Sequence, residues 1–278
     1  MMVPDLLVVG HITWDVTPNG LEPGGSAAYS ALTAQKLGLE PALLTSHSSD
    51  LDLSVVLPGI ETHTIPAADT TTFRNTYHKG VRTQFVEQVA NIIQPSDLPD
   101  RFSTAPLVIL GPVAGEIEDG LSGMFPCSIV LVSLQGWLRR INRNGIVEAV
   151  PWKGDTILPY SNIAIVSEED INDKEFLDMW SSMTPLLILT EGSAGSMIHQ
   201  DGEWSKIRAY EAREEIDPTG AGDVYATSYL IRYSETANPF ESGKFASCAA
   251  SFVIEAEGVR GIPTRNQVEN RLEKQSSL

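Results

Sequence analysis

The chain has 278 residues, 42% of them hydrophobic, which is enough apolar material for one large core and too much for a disordered chain. Its formal charge of −17 repels phosphate backbones and no basic patch offsets it, so nucleic acid is not an expected partner. Two cysteines without CxxC spacing and five scattered histidines give no metal-ligand pattern. The apolar runs LVILGPVAG and SIVLVSL fall far short of the roughly 20 residues of a membrane span. MMVPDLLVVG lacks the basic head of an export signal, so the expectation is a cytoplasmic protein with no membrane partner.

In chain order, DLLVVG, EPALLTS, PLVILG, SIVLVSL, NIAIVS and PLLILT read as strands covered on both faces. Between them lie helix candidates: SAAYSALTAQKLG, stopped by Gly38, DKEFLDMWSSM before Pro185, AGDVYATSYLIRY, and PFESGKFASCAASFVIEAEG, stopped by Gly258. This alternation predicts an α/β fold with a largely parallel sheet, as one domain over 1–278. No period of 20 to 50 residues recurs. Residues 57–89 break the rhythm: ETHTIPA, TTTFRNTYHKG and VRTQFV are threonine-rich and alternate like half-exposed antiparallel strands. Such an insertion forms either a flap over a site or a surface hairpin.

EEIDPTGAGDVYAT is the densest candidate site. Its glycines let backbone approach a ligand, and a helix starting there offers unpaired N–H groups and a positive dipole end to phosphate. Asp223 in the first helical turn is a candidate proton acceptor. By itself the stretch equally spells a DPTG turn followed by a helix cap.

DPTGAGD resembles the DTxGAGD motif of the ribokinase-like, or phosphofructokinase-B, carbohydrate kinases. The resemblance implies a three-layer α/β/α fold with a small β lid, ATP as donor, Mg2+, a monovalent cation as a further candidate, and a monomer or homodimer. It makes Asp223 the catalytic base and Gly220, Ala221 and Gly222 an anion hole, with Asp217 and Thr219 shaping the loop. GHITWD places Asp15, and GGSAAYSA places Gly24, Gly25 and Tyr29, on the substrate side. LTEGSAGS places Thr190, Gly192 and Gly195 against the nucleotide, and FASCAASFVIEAEGVRGIP places Ser247 beside it.

Each of these stretches also has an ordinary reading: a strand exit, a helix entry, a hairpin turn and a buried alanine-rich helix. Tyr29 stands where the family usually carries asparagine. SEED replaces the family's metal-ordering NxxE, which leaves Asp170 to act on a metal through water. GGSAAYS, TTTFRNTY, IQPSDLP, SLQGWLRR and DPTGAGD are similar in order to the inositol kinases, which implies a neutral sugar or polyol acceptor such as myo-inositol or a nucleoside. Arg82 and Arg139 are candidate cationic contacts. The competing expectation is a nucleotide- or polyol-binding sensor without turnover. A phosphatase or nucleotidase ranks below both, for want of a metal cluster or covalent nucleophile.

Overall fold

The computed structural model describes residues 3–18, 20–78, 81–171 and 173–276. Nine strands form the central sheet, in the order Glu203–Ile207, Ser196–Gln200, Leu186–Thr190, Ile163–Ser167, Ile129–Ser133, Leu107–Leu110, Leu6–Val9, Pro41–His47, Glu61–Pro66. Seven are parallel, and an antiparallel hairpin closes one edge. All six runs read from the sequence as buried strands lie in this sheet.

Both faces of the sheet are covered, which explains why its strands are nearly continuous apolar runs. Leu6, Val8, Leu43, Ile109 and Leu131 point into one core with the helices α1 (Ser26–Lys36), α4 (Ala221–Thr236) and α5 (Pro239–Val253). Their neighbours Leu7, Val9, Leu44, Val108 and Val132 point to the other, filled by Phe102, Phe125 and Trp180. Among the described residues this second layer has one short helix, α3 (Glu175–Ser181), and several 3-10 segments. Helices α2 (Leu53–Val56) and α6 (Arg265–Ser276), absent from the sequence expectation, complete the set. With only Val268 and Leu272 apolar among its twelve residues, α6 is polar nearly all round and gives little periodic signal.

The expected flap exists with different boundaries. Its four strands run in the order Gly20–Gly24, Thr13–Thr17, Thr72–His78, Val81–Gln88. The span 57–89 is therefore corrected at its start. Glu61–Pro66 pairs in parallel with Pro41–His47 at the edge of the central sheet, and Thr13–Thr17 with Gly20–Gly24 supply the other half of the flap. Thr-His-Thr alternation is common to an edge strand and a flap strand, so pattern could not separate them. A further hairpin, Arg139–Ile141 with Val147–Ala149, abuts the flap: the Val86 amide donates to the Gly145 carbonyl at 2.8 Å.

The chain leaves Leu6–Val9 toward Pro41–His47 on one side, then returns to Leu107–Leu110 on the other. Strand order thus reverses between Leu6–Val9 and Leu107–Leu110, and open parallel sheets bind ligands beyond the carboxyl ends at such a reversal.

Candidate active site

The reversal is held open by backbone. Gly10 and Gly111 follow the two strands, and side chains there would strike the Gly111 carbonyl and the Ser26 hydroxyl respectively. Glu116 is 1% exposed, and its carboxylate accepts the N–H groups of His11, Val113 and Ala114 at 2.8 to 3.1 Å. No sequence pattern had marked it, because its partners are main-chain atoms. It fixes the two loops that open the cleft.

Asp223 lies in the first turn of α4, whose N–H groups have no intrahelical partner. The Ser26 hydroxyl, in the first turn of α1, donates to its Oδ1 at 2.5 Å. Some of the Asp223 surface reaches the cleft, yet protein packs round the carboxyl, and this burial pushes its pKa up to about 6. The Ser26 bond and the Arg139 charge oppose the rise, while Asp170 adds to it. Ser26 was missed from sequence, although it sits inside GGSAAYSA. The pairing joins positions 197 residues apart.

Gly220 caps α4 at φ +80°, a left-handed conformation that favours glycine. The Tyr29 ring occupies the space a side chain there would need. Gly222 has open space where its side chain would be, so no neighbour covers the backbone on that side. Asp217 ties the loop from below, accepting the amides of Thr219 and Gly258 at 3.0 Å each. Burial works against its charge, but these bonds outweigh it and hold the carboxyl below the usual range.

Tyr29 is 3% exposed and packs under Gly220. Burial, then the charges of Asp217, Asp223, Asp15 and Glu22, push its hydroxyl far above the ordinary value. It supports the loop, and so little of it reaches solvent that it offers no open aromatic face. Gly25 starts α1 at φ +87°, hard against the His11 carbonyl. Asp15 lies in the flap, and its Oδ2 fills the place of a Gly24 side chain. Asp15 and Asp223 both act on Tyr29, and Gly24 and Gly25 lead directly into Ser26, which bonds Asp223, so flap carboxylate, glycine pair and Asp223 share one region.

The nucleotide-side residues are more dispersed. Thr190 ends its strand with the hydroxyl turned 3.4 Å to the Val166 carbonyl, Gly192 faces open space, and Gly195 at φ +99° packs on the Ile207 carbonyl. Ser247 is 7% exposed and spent on backbone, accepting from the Tyr210 amide and donating to the Arg208 carbonyl. It can act on a base only by holding 208–210 in place. The side chain of Arg82 lies outside the described residues. A separate cavity of about 360 Å3, lined by Ile198, Gln200, Asn238 and Phe240 among others, shares none of the site residues.

Asp170 does not fit the metal role the resemblance implies. Arg139 Nη2 donates to its Oδ1 at 2.9 Å, and Gln135 Nε2 approaches Oδ2 at 3.4 Å. Glu168 and Glu169 beside it are exposed. Among the described residues no three of His, Cys, Asp or Glu converge as metal ligands.

The family model for pfkB carbohydrate kinases matches residues 161–265, which contain the α4 loop and Asp223. Over that segment, about two fifths of the chain, the protein is similar to the pfkB carbohydrate kinases. It is 37% identical over 99 residues to a nucleoside kinase of Methanocaldococcus jannaschii, a match spanning 35% of this chain and 33% of that protein. It is 26% identical to a cytidine kinase of Thermococcus kodakarensis over 83% of this chain and 88% of that one. Among solved structures, a pyrophosphate-dependent kinase of the ribokinase family, complexed with a pyrophosphate analogue and myo-inositol, superposes with a TM-score of 0.79 at 21% identity. It covers 95% of this chain and 99% of its own. Arabidopsis thaliana ribokinase, complexed with ribose and ATP, gives a TM-score of 0.76 at 18% identity over 98% and 99%. The fold is that of ribokinase. Among the described residues no helix is long and apolar enough to cross a membrane.

Proposed function

We propose that this protein is a pfkB-type kinase that transfers a phosphoryl group from ATP to a hydroxyl of a small neutral polyol or nucleoside sugar. The observation that carries the reading is Asp223: a carboxyl packed round by protein, tuned to about 6, at the N-terminus of a 16-residue helix and beside bare Gly222 backbone. A base poised just below neutral pH is ionised in the cell and still able to take a proton from an alcohol. The acceptor hydroxyl lies between Asp15 with Gly24 and Gly25 on one side and Asp223 on the other. Asp223 takes its proton as the oxygen attacks the phosphoryl phosphorus and the donor's bridging oxygen leaves with the other phosphates. The first-turn amides of α4 and its dipole face the phosphoryl oxygens, where they stabilise charge as it moves.

The charge pattern argues for a neutral acceptor. Asp15, Glu22, Asp217 and Asp223 all act on Tyr29, so the acceptor side is acidic. A phosphorylated sugar would meet repulsion there. The magnesium that family members use with ATP would arrive with the donor, since Asp170 is taken by arginine.

The test is turnover with ATP and with pyrophosphate, each against myo-inositol, cytidine, adenosine, ribose and fructose 1-phosphate, with potassium present and absent. Transfer to a neutral acceptor is expected, faster with ATP than with pyrophosphate. Asp223→Asn should lower turnover by roughly 10² to 10⁴ while donor affinity changes little. Tight binding with no transfer to any acceptor would support the sensor reading instead.

A further inference from the structure

The Arg139–Asp170 pair has no part in the acceptor grip or the proton transfer described above, yet it sits at the same cleft. Its side chains are only 15% and 11% exposed. A pair so far from water recovers at best about what its desolvation costs, so stability is a poor reason for it to be there. Its position comes from the sheet. Arg139 follows the carboxyl end of strand Ile129–Ser133, and Asp170 follows that of Ile163–Ser167; the two strands are parallel neighbours, with Leu131 opposite Ile163. Helix α4 packs across both strands, and the charges of Arg139 and Asp170 both act on Asp223 in its first turn.

We infer that Asp170 is a positioning residue that works through Arg139, and that the Arg139 guanidinium is the protein's own positive charge on the phosphoryl group in transfer. Asp170 Oδ1 takes one donor, Nη2, and Gln135 steadies the other oxygen. A guanidinium carries five N–H donors in a rigid fork, so a guanidinium anchored by one of them can still present others to phosphate oxygens. The anchoring carboxylate fixes the fork before the donor arrives, which spares the reorganisation that an untethered side chain would need. The short aspartate side chain in SEED has thus turned from a metal toward an arginine. The inference rests on the kinase reading, and the experiment separates failure of one from failure of the other.

Asp170→Asn keeps shape and removes the anchor; Arg139→Lys keeps charge without the fork; Arg139→Met removes both. Melting curves confirm folding, and Asp170→Asn/Arg139→Met avoids leaving a lone buried charge. With whichever acceptor the panel identifies, Asp170→Asn should lower kcat about 10-fold to 100-fold with acceptor KM changed less than about 3-fold. The Mg2+ concentration for half-maximal rate should stay where it was. Arg139→Met should fall further, Arg139→Lys should recover part, and the double variant should be no worse than Arg139→Met alone, since the two act as one unit.

The pH profile adds a readout of sign. Ser26 and Tyr29 face Asp223 from α1, Arg139 from its hairpin, and Asp170 from the turn after Ile163–Ser167; Tyr29 titrates too high to interfere. The acid limb of kcat/KM should move down in Asp170→Asn and up in Arg139→Met.

If Asp170→Asn instead raises the Mg2+ requirement about 10-fold and excess Mg2+ restores the rate, Asp170 is a metal residue and the inference is overturned. Wild-type kcat in either single variant overturns it equally. If no acceptor on the panel is turned over, the kinase reading fails separately. Calorimetry with pyrophosphate in EDTA then decides: about 10-fold weaker binding in Arg139→Met and in Asp170→Asn supports the pair as an anion seat, and unchanged or absent binding rejects it.

Discussion

At pH 7 Asp223 carries its charge in a place that penalises it, and the same cause has a kinetic and a thermodynamic face. Only the ionised form accepts a proton, so kcat/KM should fall on the acid side with a midpoint near 6, the value burial gives it. A flat profile between pH 5 and 7 would remove it as the base. The folded pKa of about 6 stands above the ordinary 3.8, so the folded state holds the proton more tightly than the unfolded chain does. The stability this contributes is fully present below about 3.8 and is lost as pH rises through about 6. Asp223→Asn should therefore melt a few degrees above the parent at pH 8, with the gap closing below pH 4. A variant that melts lower at pH 8 would mean that the Ser26 bond outweighs the burial cost.

Among the elements, the flap is what positions Asp15, which the proposed reaction puts on the acceptor. Strand Thr13–Thr17 leaves the first sheet strand, pairs with Gly20–Gly24 and then with Thr72–His78, so Asp15 is set by both flap halves at once. Gly24 is its immediate neighbour, and any side chain there overlaps the Asp15 carboxylate. Gly24→Ala should move Asp15 off the acceptor. The expected result is an acceptor KM raised about 10-fold or more, with donor KM within about 3-fold of wild type. Equal change in both would mean that the substitution disturbs the whole cleft and that Asp15 has no specific place in it.

Over the whole molecule the formal charge of −17 sets stability against salt. Ion pairs such as Arg140–Glu148 and Arg260–Glu257 are exposed on both sides and worth about 0 to 1 kcal/mol each, so salt has little to take away. Self-repulsion of the acidic surface is what salt screens, and the Debye length shortens well below molecular dimensions by about 0.15 M. Tm measured by calorimetry should rise between about 20 and about 200 mM NaCl. A fall over that range would show that the ion pairs matter more than the net charge.

Six buried strands, four helices and the α4 loop were legible because each is written in contiguous residues: an apolar run, a period, a glycine pair before a helix. The flap was half legible. Threonine alternation marks strands but not their partners, so Glu61–Pro66 was assigned to the flap when its backbone bonds go to the central sheet. At the site, DPTGAGD alone pointed to Asp223, Asp217 and the bare glycines, since chemistry, turn and helix start fall within one stretch. Tertiary structure alone decided the contacts that give those residues their properties. Ser26 reaches Asp223 across 197 positions, Tyr29 goes under Gly220 and not into the cleft, and Asp170 meets Arg139 across 31. A sequence states which groups are present and how each prefers to fold locally. Burial and charge pairing, which set a pKa or tie a carboxylate to an arginine, depend on strand order, and no local pattern carries that.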